Sequence, residues 1–127
     1  MTTIPRTPTD TARSVLDAID NGDLEGVIDT VLAEDVHVRF GNFEPTSTRA
    51  GFLATVQASG ASIAGIRHEV LEVWEPEDGA VVVTSDVHYR RVDGQELTLP
   101  ACSVFRVRDG LVHDYRVYMD INPVLAP

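Results

Sequence analysis

The chain has 127 residues, of which 20 are acidic and 10 basic, giving a net charge of −10. This length suffices for one domain with a hydrophobic core, and a hydrophobic content of 43% predicts that the chain folds. Because so acidic a surface repels phosphate groups, nucleic acid and anionic membranes are not expected as partners. The single cysteine, Cys102, excludes an internal disulfide and a thiolate zinc cluster. The first ten residues lack the features of a signal peptide, so we expect a short lead-in to a helix and a cytoplasmic protein.

Two helices are predicted before the first strand. Thr9 or Asp10 can cap a helix that runs to about residue 20, and its apolar side chains recur at helical spacing. The turn NGD at 21–23 separates it from a second helix over 24–32. Residues 33–40 then alternate apolar and polar, which predicts a strand, and a third helix is expected over 49–59.

From about residue 63 onward the sequence is typical of long strands. Four are predicted, over 66–74, 80–91, 96–108 and 111–121, separated by turns that contain glycine. Helices followed by a run of strands indicate an α+β fold, with three helices covering one face of a curved, mainly antiparallel sheet. We treat residues 1–127 as a single domain of this kind.

The turns predict how the strands pair. Asp93-Gly94 is typical of a two-residue hairpin loop, which would place His88 opposite Leu99. A three-residue turn at 108–110 would place Ser103 opposite Tyr115. Because opposed residues share a face, one face should carry both a polar cluster and the apolar wall of a pocket. Its predicted members are Thr84, Asp86, His88, Leu97, Leu99, Ala101, Ser103, Phe105, His113, Tyr115, Val117 and Met119.

The opposite face of the predicted sheet is also more apolar than a solvated surface. A sheet that is apolar on both sides needs cover on both sides, and the helices can cover only one. We therefore expect a homodimer that forms through this outer face. Its predicted members are Val81, Val83, Val87, Tyr89, Cys102, Val104 and Tyr118.

The stretches DAIDNGDLEGVIDTVLAEDVHVRF and SVFRVRDGLVHDYRVYMDI, in this order of elements, resemble the nuclear-transport-factor-2-like (NTF2-like) superfamily. Within it the chain is similar to the SnoaL-like proteins, in the neighbourhood of ketosteroid isomerases, polyketide cyclases and limonene-epoxide hydrolases. The resemblance spans about 11–123. It implies a cone of helices and curved sheet around a pocket for an apolar small molecule, with no cofactor. The fold hosts enzymes, binding modules and assembly domains alike.

The catalytic residues of the epoxide hydrolases are mostly absent. Only one Asp of their set is matched, by Asp86, so the resemblance does not imply epoxide hydrolysis by that mechanism. The other positions of the set read Val38, Phe40, Thr84 and Val117.

The catalytic residues of the steroid isomerases are absent as well. Their general base falls at Phe40, and their oxyanion-hole donors fall at Val15 and Ser103. Polyketide cyclases of this group vary more, and an acid–base Asp or His inside the cone is their usual theme. Asp86 with His88 fits that theme.

Asp86 and His88 lie two apart on a predicted strand, so their side chains rise from the same face. A carboxylate in an apolar cleft is suited to proton transfer near neutral pH. His88 could orient Asp86 or share its proton, and Tyr115 could donate a hydrogen bond to a developing oxyanion. These three are the predicted catalytic residues. The predicted substrate-binding residues are Val15, Val38, Phe40, Thr84, Leu99, Ala101, Ser103, Val117 and Met119.

Other interpretations stay open. Taken alone, the alternation of valines with Thr84, Asp86 and His88 favours a solvated polar stripe on the strand. His37 is expected to face away from the pocket, and His68 is expected to be structural. No metal site is expected, because no histidine spacing matches a metal-binding motif.

The leading hypothesis is a cofactor-independent enzyme of the SnoaL-like type. It would isomerise, cyclise or dehydrate an apolar, oxygenated substrate such as a polyketide, steroid or terpenoid. One alternative is a non-catalytic binding or dimeric assembly module. Another is water activation by Asp86 in the manner of an epoxide hydrolase.

Overall fold

The computed structural model describes residues 7–126. The predicted lead-in over residues 1–6 lies outside this range. The first helix, α1 (Pro8–Asn21), begins with a capping box, in which the Thr7 hydroxyl accepts the Asp10 N–H at 3.1 Å and the Asp10 carboxylate accepts the Thr7 N–H at 3.2 Å. The cap is therefore Thr7, and the prediction of Thr9 or Asp10 is wrong. Pro8 fits the first helical turn, where no N–H is needed.

The end of α1 is a glycine-terminated turn. Gly22 has a φ of 67°, and its N–H bonds to the Ile19 carbonyl while the Asp23 N–H bonds to the Ala18 carbonyl. Two such hydrogen bonds commonly end a helix at a residue in the left-handed conformation. It lets α2 begin at once, so that the two helices pack against each other.

The remaining elements agree with the predicted order as far as β5. After α1 come α2 (Leu24–Val31), β1 (Leu32–Phe40), α3 (Arg49–Ser59), β2 (Ile63–Glu77), β3 (Ala80–Arg91), β4 (Glu96–Arg108), β5 (Leu111–Tyr118) and α4 (Asn122–Leu125). The sheet order is β1-β5-β4-β3-β2, in which only β1 and β5 run parallel. The α+β class with a mainly antiparallel sheet is confirmed. Among residues 7–126, no helix is long and apolar enough to cross a bilayer.

The helix α4 was not predicted. The last strand was expected to reach residue 121, but β5 ends at Tyr118 and the chain turns into α4. The Asp120 carboxylate accepts the Asn122 N–H at 3.0 Å, and the Arg91 guanidinium donates to the Pro123 and Ala126 carbonyls. These bonds hold α4 against the sheet.

Two apolar clusters cover the inner face of the sheet. The helix cluster joins the buried faces of α1, α2 and α3 to β1, β5 and the ends of β3 and β4 near Val81 and Phe105. The C-terminal cluster is smaller and is closed by α4. It consists of Val87, Tyr89, Ala101, Ile121 and Val124.

The β3–β4 hairpin differs from the prediction by one residue. The Arg91 N–H bonds to the Gln95 carbonyl at 2.8 Å, which leaves the three-residue loop 92–94, and Gly94 in it has a φ of 92°. His88 therefore pairs with Thr98, not with Leu99. A slip of one residue moves every side chain of a strand to the other face. The predicted face of β3 is consequently wrong.

The β4–β5 hairpin also differs, but with no change of face. Asp109 and Gly110 have φ values of 55° and 78° and form a two-residue loop, which places Arg108 opposite Leu111. The register then shifts between Arg106 and Val107. Because the loop and the shift together move the pairing by two residues, the inner face of β4 and of residues 115–117 stays as predicted. The prediction of His113 on the inner face is wrong, because Val112 is the buried residue beside the shift and His113 contacts the exposed Arg108.

The corrected register reverses the faces of β3. Its inner face carries Val81, Val83, Ser85, Val87 and Tyr89, which are all buried. The prediction that Val81, Val83, Val87 and Tyr89 belong to the outer, dimer-forming face is therefore wrong. The predicted pocket residues Thr84, Asp86 and His88 lie on the outer face, opposite Cys102, Pro100 and Thr98.

Candidate active site

The predicted substrate-binding residues lie on the inner face, with one exception. Tyr115 is also there, and is 3% exposed. Thr84 is the exception, since it lies on the outer face. Val15 of α1 packs against this face, and the residues on it are Val38, Phe40, Leu99, Ala101, Ser103, Val117 and Met119.

The structure separates Asp86 and His88 from Tyr115. The His88 ring contacts Glu69 at 2.8 Å and Thr98 at 2.9 Å on the outer face. Asp86 lies beside them, between Glu69 on β2 and Pro100 on β4. The sheet itself stands between these groups and Tyr115, so the predicted three-residue site does not form within one chain.

The inner face instead carries an Asp–His pair that was not predicted. Asp20 Oδ1 lies 2.6 Å from His68 Nδ1, and Asp20 Oδ2 accepts the His68 backbone N–H at 2.8 Å. The Asp20 side chain is 17% exposed and the His68 side chain is 10% exposed. A pair held by two bonds and mostly withdrawn from solvent has a fixed geometry.

The position of Asp20 is electrostatically costly for the helix. It lies in the last turn of α1, where the helix dipole is negative, and no basic side chain lies in that turn. The two donors of His68, brought by β2, offset this cost.

Two buried tyrosines lie within electrostatic reach of Asp20. Burial raises the pKa of Tyr115 well above its usual range, although a hydrogen bond with Ser103 acts in the opposite direction. Burial also raises the pKa of Tyr89, and the charge of Asp20 adds to the effect on both phenols. Both tyrosines are therefore neutral hydrogen-bond donors at neutral pH.

A diagonal row of polar side chains crosses the inner face, one from each of four adjacent strands. His68 is opposite Val87, two residues from Ser85; Ser85 is opposite Ala101, two residues from Ser103. Ser103 is opposite Val117, two residues from Tyr115. The row of His68, Ser85, Ser103 and Tyr115 separates most of the helix cluster from the C-terminal cluster.

The buried phenols predict a fall of stability in alkali. Below the usual tyrosine value of 10.0, the folded and unfolded chains both keep the phenol protons. Above it the unfolded chain loses protons that the folded chain retains, so the free energy of unfolding should decrease as the pH rises. Urea unfolding on either side of pH 10 measures this change, and Tyr115→Phe should make it smaller. An ultraviolet titration in which all three tyrosines ionise while the chain stays folded would contradict the burial of Tyr89 and Tyr115.

Two surface grooves lie away from the Asp20–His68 pair. One of about 360 Å³ lies beside the β3–β4 hairpin. It is lined by outer-face residues, which include Arg67, His88 and Thr98, and by the inner-face residues Ile66, Tyr89 and Leu97. The other, of about 210 Å³, lies beside Gly41 and Tyr118. Neither is lined by Asp20 or His68.

The available side chains restrict the chemistry. The sequence contains no lysine, so an imine with a lysine amine is excluded. Within residues 7–126, no group of three His, Cys, Asp or Glu side chains is arranged to hold a metal ion. The inner face offers one imidazole, one carboxylate and several hydroxyls, which can exchange protons and bind neutral oxygens.

The sequence does contain a signal for the missed pair. Asp20 follows Leu16 by four residues and so continues the buried stripe of α1. His68 lies between Ile66 and Val70 at the spacing of one strand face. A polar residue that interrupts an apolar stripe on each of two elements is the pattern that could have identified them.

Comparison with known proteins supports this fold. The model of the SnoaL-like domain family matches residues 12–115. An NTF2-like protein of unknown function from Burkholderia pseudomallei has 21% identity and a TM-score of 0.84, over 94% of this chain and 98% of that one. A putative SnoaL-like polyketide cyclase from Jannaschia has 17% identity and a TM-score of 0.80, over 100% of this chain and 99% of that one.

An epoxide hydrolase from Mycobacterium tuberculosis, similar to the limonene-epoxide hydrolases, has 17% identity and a TM-score of 0.77, over 93% of this chain and 86% of that one. No curated protein matches the sequence significantly. At these identities the solved structures show a shared fold. The family model covers most of the chain, and the chain therefore belongs to the SnoaL-like domain family.

Proposed function

We propose that this chain is an acid–base enzyme that moves a proton on an apolar, oxygenated small molecule. The observation that carries the proposal is the 2.6 Å contact of Asp20 with His68 on the inner face of the sheet. In this assignment His68 is the catalytic residue and Asp20 is a positioning residue. It replaces the arrangement of Asp86 with His88 and Tyr115, whose members lie on opposite faces.

The contact with Asp20 determines which nitrogen of His68 can act. A carboxylate accepts hydrogen bonds, so the neutral imidazole carries its proton on Nδ1 and presents the lone pair of Nε2. Asp20 also stabilises the imidazolium that forms when Nε2 takes a proton. The same Nε2 can return this proton to another carbon of the substrate, so no external acid is needed.

The reaction that this geometry supports is isomerisation through an enolate. His68 Nε2 takes a proton from the carbon beside a carbonyl, and the electron pair of the C–H bond moves into an enolate oxygen. When the enolate collapses, the proton goes back to a more distant carbon and the double bond has moved. Cyclisation or dehydration starts from the same enolate.

The surroundings favour a neutral, apolar substrate such as a polyketide, steroid or terpenoid ketone. Both inner-face clusters are apolar, and none of the arginines among residues 7–126 is buried. The site thus offers no buried cation for a carboxylate or a phosphate. The relative from Jannaschia, a putative polyketide cyclase, agrees with this class of substrate.

Deuterium exchange tests the proposal directly. The protein is incubated in D₂O with β-diketones and with a β,γ-unsaturated cyclohexenone, and NMR follows deuterium incorporation and movement of the double bond. We expect exchange above the buffer rate that requires His68. Binding of these ketones without any exchange would instead indicate the non-catalytic binding module. Hydrolysis of simple epoxides that requires Asp86 would favour the epoxide-hydrolase alternative.

We also propose that two copies pack through the outer face of the sheet. Trp74, Val82 and Val104 lie abreast on β2, β3 and β4, and Trp74 is 46% exposed. Tyr118 on β5 pairs with Cys102 on β4 and is 57% exposed. An apolar surface of this kind is a usual dimer interface.

A charge placed in this surface should separate the copies. In a two-fold dimer each substitution occurs twice, so Val104→Glu would bury two like charges and shift the protein to monomer. Light scattering measures the mass, and circular dichroism checks the fold. The matched control is Ala54→Glu, which adds the same charge at an exposed position of α3. A wild-type monomer, or a Val104→Glu dimer, would refute the interface.

A further inference from the structure

The Ser85 hydroxyl is buried and has no hydrogen-bond partner among the described residues. Ser85 is 2% exposed, and its Oγ is one of the few buried side-chain oxygens without a partner. The residues directly opposite it are Val70 and Ala101, which cannot accept or donate through their side chains. An unpaired buried hydroxyl is destabilising, so it needs a reason.

The position of Ser85 is next to the proposed catalytic residue. It lies on the inner face, diagonal to His68 on the neighbouring strand, at a separation of roughly 7–8 Å at the backbone. Ser85 and Ala101 are small, and they face each other at the border of the two apolar clusters. Tyr89 and Met119 meet across β4 nearby, with 3.5 Å between the phenol oxygen and the sulfur. A methionine is a flexible cover that a ligand can displace.

We propose that Ser85 binds the carbonyl oxygen of the substrate and so selects ketones whose reactive C–H lies toward His68. This inference rests on the proposed function. A hydroxyl can donate to a carbonyl oxygen, and its hydrogen bond strengthens when the oxygen becomes an enolate. It carries no charge, which agrees with a neutral substrate.

A ketone can engage both residues, because they rise from neighbouring strands on the same face. Its carbonyl oxygen would accept a hydrogen bond from Ser85 at about 3 Å, and its acidic carbon would contact His68 Nε2. Ser103 is engaged with Tyr115, which leaves Ser85 as the hydroxyl of the row that is free to bind a ligand.

Ser85→Ala tests this role with two readouts of opposite sign. Removing an unpaired hydroxyl should leave the midpoint of urea unfolding unchanged or raise it. The same change should lower kcat/KM for the β,γ-unsaturated cyclohexenone at least about tenfold, mainly through kcat. It should also weaken binding of 4-nitrophenol, whose phenol group and its anion mimic the enol and the enolate, about tenfold. Proton removal from 5-nitrobenzisoxazole, a C–H acid without a carbonyl, should change less than twofold.

Thr84→Val is the matched control. Thr84 is the next residue of β3 and also has a buried, unpartnered hydroxyl, but it points to the outer face. We expect it to leave ketone turnover and 4-nitrophenol binding within twofold of wild type. A reversed result, with loss in Thr84→Val and none in Ser85→Ala, would overturn the proposal.

The remaining outcomes separate this inference from the proposed function. If His68→Gln abolishes ketone turnover while Ser85→Ala retains it in full, the role of Ser85 is refuted and the base stands. If His68→Gln changes neither turnover of the cyclohexenone nor proton removal from 5-nitrobenzisoxazole, the proposed function fails. If Ser85→Ala destabilises the fold and leaves 4-nitrophenol binding unchanged, the hydroxyl holds a structural partner, and the proposal is refuted. Absence of 4-nitrophenol binding in the wild type also refutes it.

Discussion

Replacing His68 with Gln should lower ketone turnover at least about 100-fold, because a positioned general base contributes roughly 10²–10⁴ to the rate. Glutamine can still reach toward Asp20, and the backbone N–H of residue 68 still donates to Asp20 Oδ2. The variant should therefore fold and bind ketones. Deuterium exchange measures the loss, and kcat should fall while KM changes little.

Asp20→Asn distinguishes a positioning role from a merely structural one. An asparagine amide can donate to Nδ1, which would turn the imidazole to the tautomer that carries its proton on Nε2. We expect a large fall in kcat with a nearly unchanged unfolding midpoint. Equal losses of stability and turnover would indicate that Asp20 only supports the fold.

His88→Gln is the matched control for the histidine. His88 also contacts a carboxylate, Glu69 at 2.8 Å, but on the outer face. We expect it to keep at least half of the wild-type exchange rate. If exchange is lost in His88→Gln and retained in His68→Gln, the catalytic histidine is His88, as predicted from the sequence.

The fold was predictable because it depends on patterns that local sequence carries. The change from a helical to a two-residue period at β1 and the glycine turns between β2 and β5 mark the elements without reference to tertiary structure. The helix α4 was not predicted, because four residues are too few to show a helical period. It is held by contacts from Arg91, which is distant in sequence.

The site was less predictable because it depends on register. A loop of three residues instead of two at 92–94 reversed the face of β3, which brought Ser85 inside and moved Asp86 outside. Asp-Gly within a hairpin fits both loop lengths, so the turn alone could not decide. The alternation of buried valines at Val81, Val83 and Val87 pointed to the correct face.

The Asp20–His68 pair could not be inferred from local sequence. Its members are 48 residues apart and meet only where the end of α1 crosses β2. Helix packing on a sheet sets that crossing, and no turn or motif encodes it. The sequence shows two polar interruptions of apolar stripes, whereas the structure shows that they touch.

Phe105→Ala should cost about 3–5 kcal/mol of unfolding free energy, because a fully buried aromatic ring leaves a cavity when it is removed. Phe105 is 0% exposed, and its ring stacks on Tyr115 with 4.5 Å between centroids. Urea unfolding measures the loss. The matched control is Phe43→Ala, since Phe43 also stacks on an aromatic ring, that of Phe40, but is 46% exposed. It should cost less than about 1 kcal/mol.

This comparison also tests which face of β4 lies inward. If β4 were displaced by one residue, Phe105 would face outward and Val104 inward, and the large cost would move to Val104→Ala. A small cost for Phe105→Ala would therefore contradict the inner face itself, including the positions of Ser103 and Tyr115. A large cost would support the inner face on β4 and β5, which Phe105 shares with Ser103 and Tyr115.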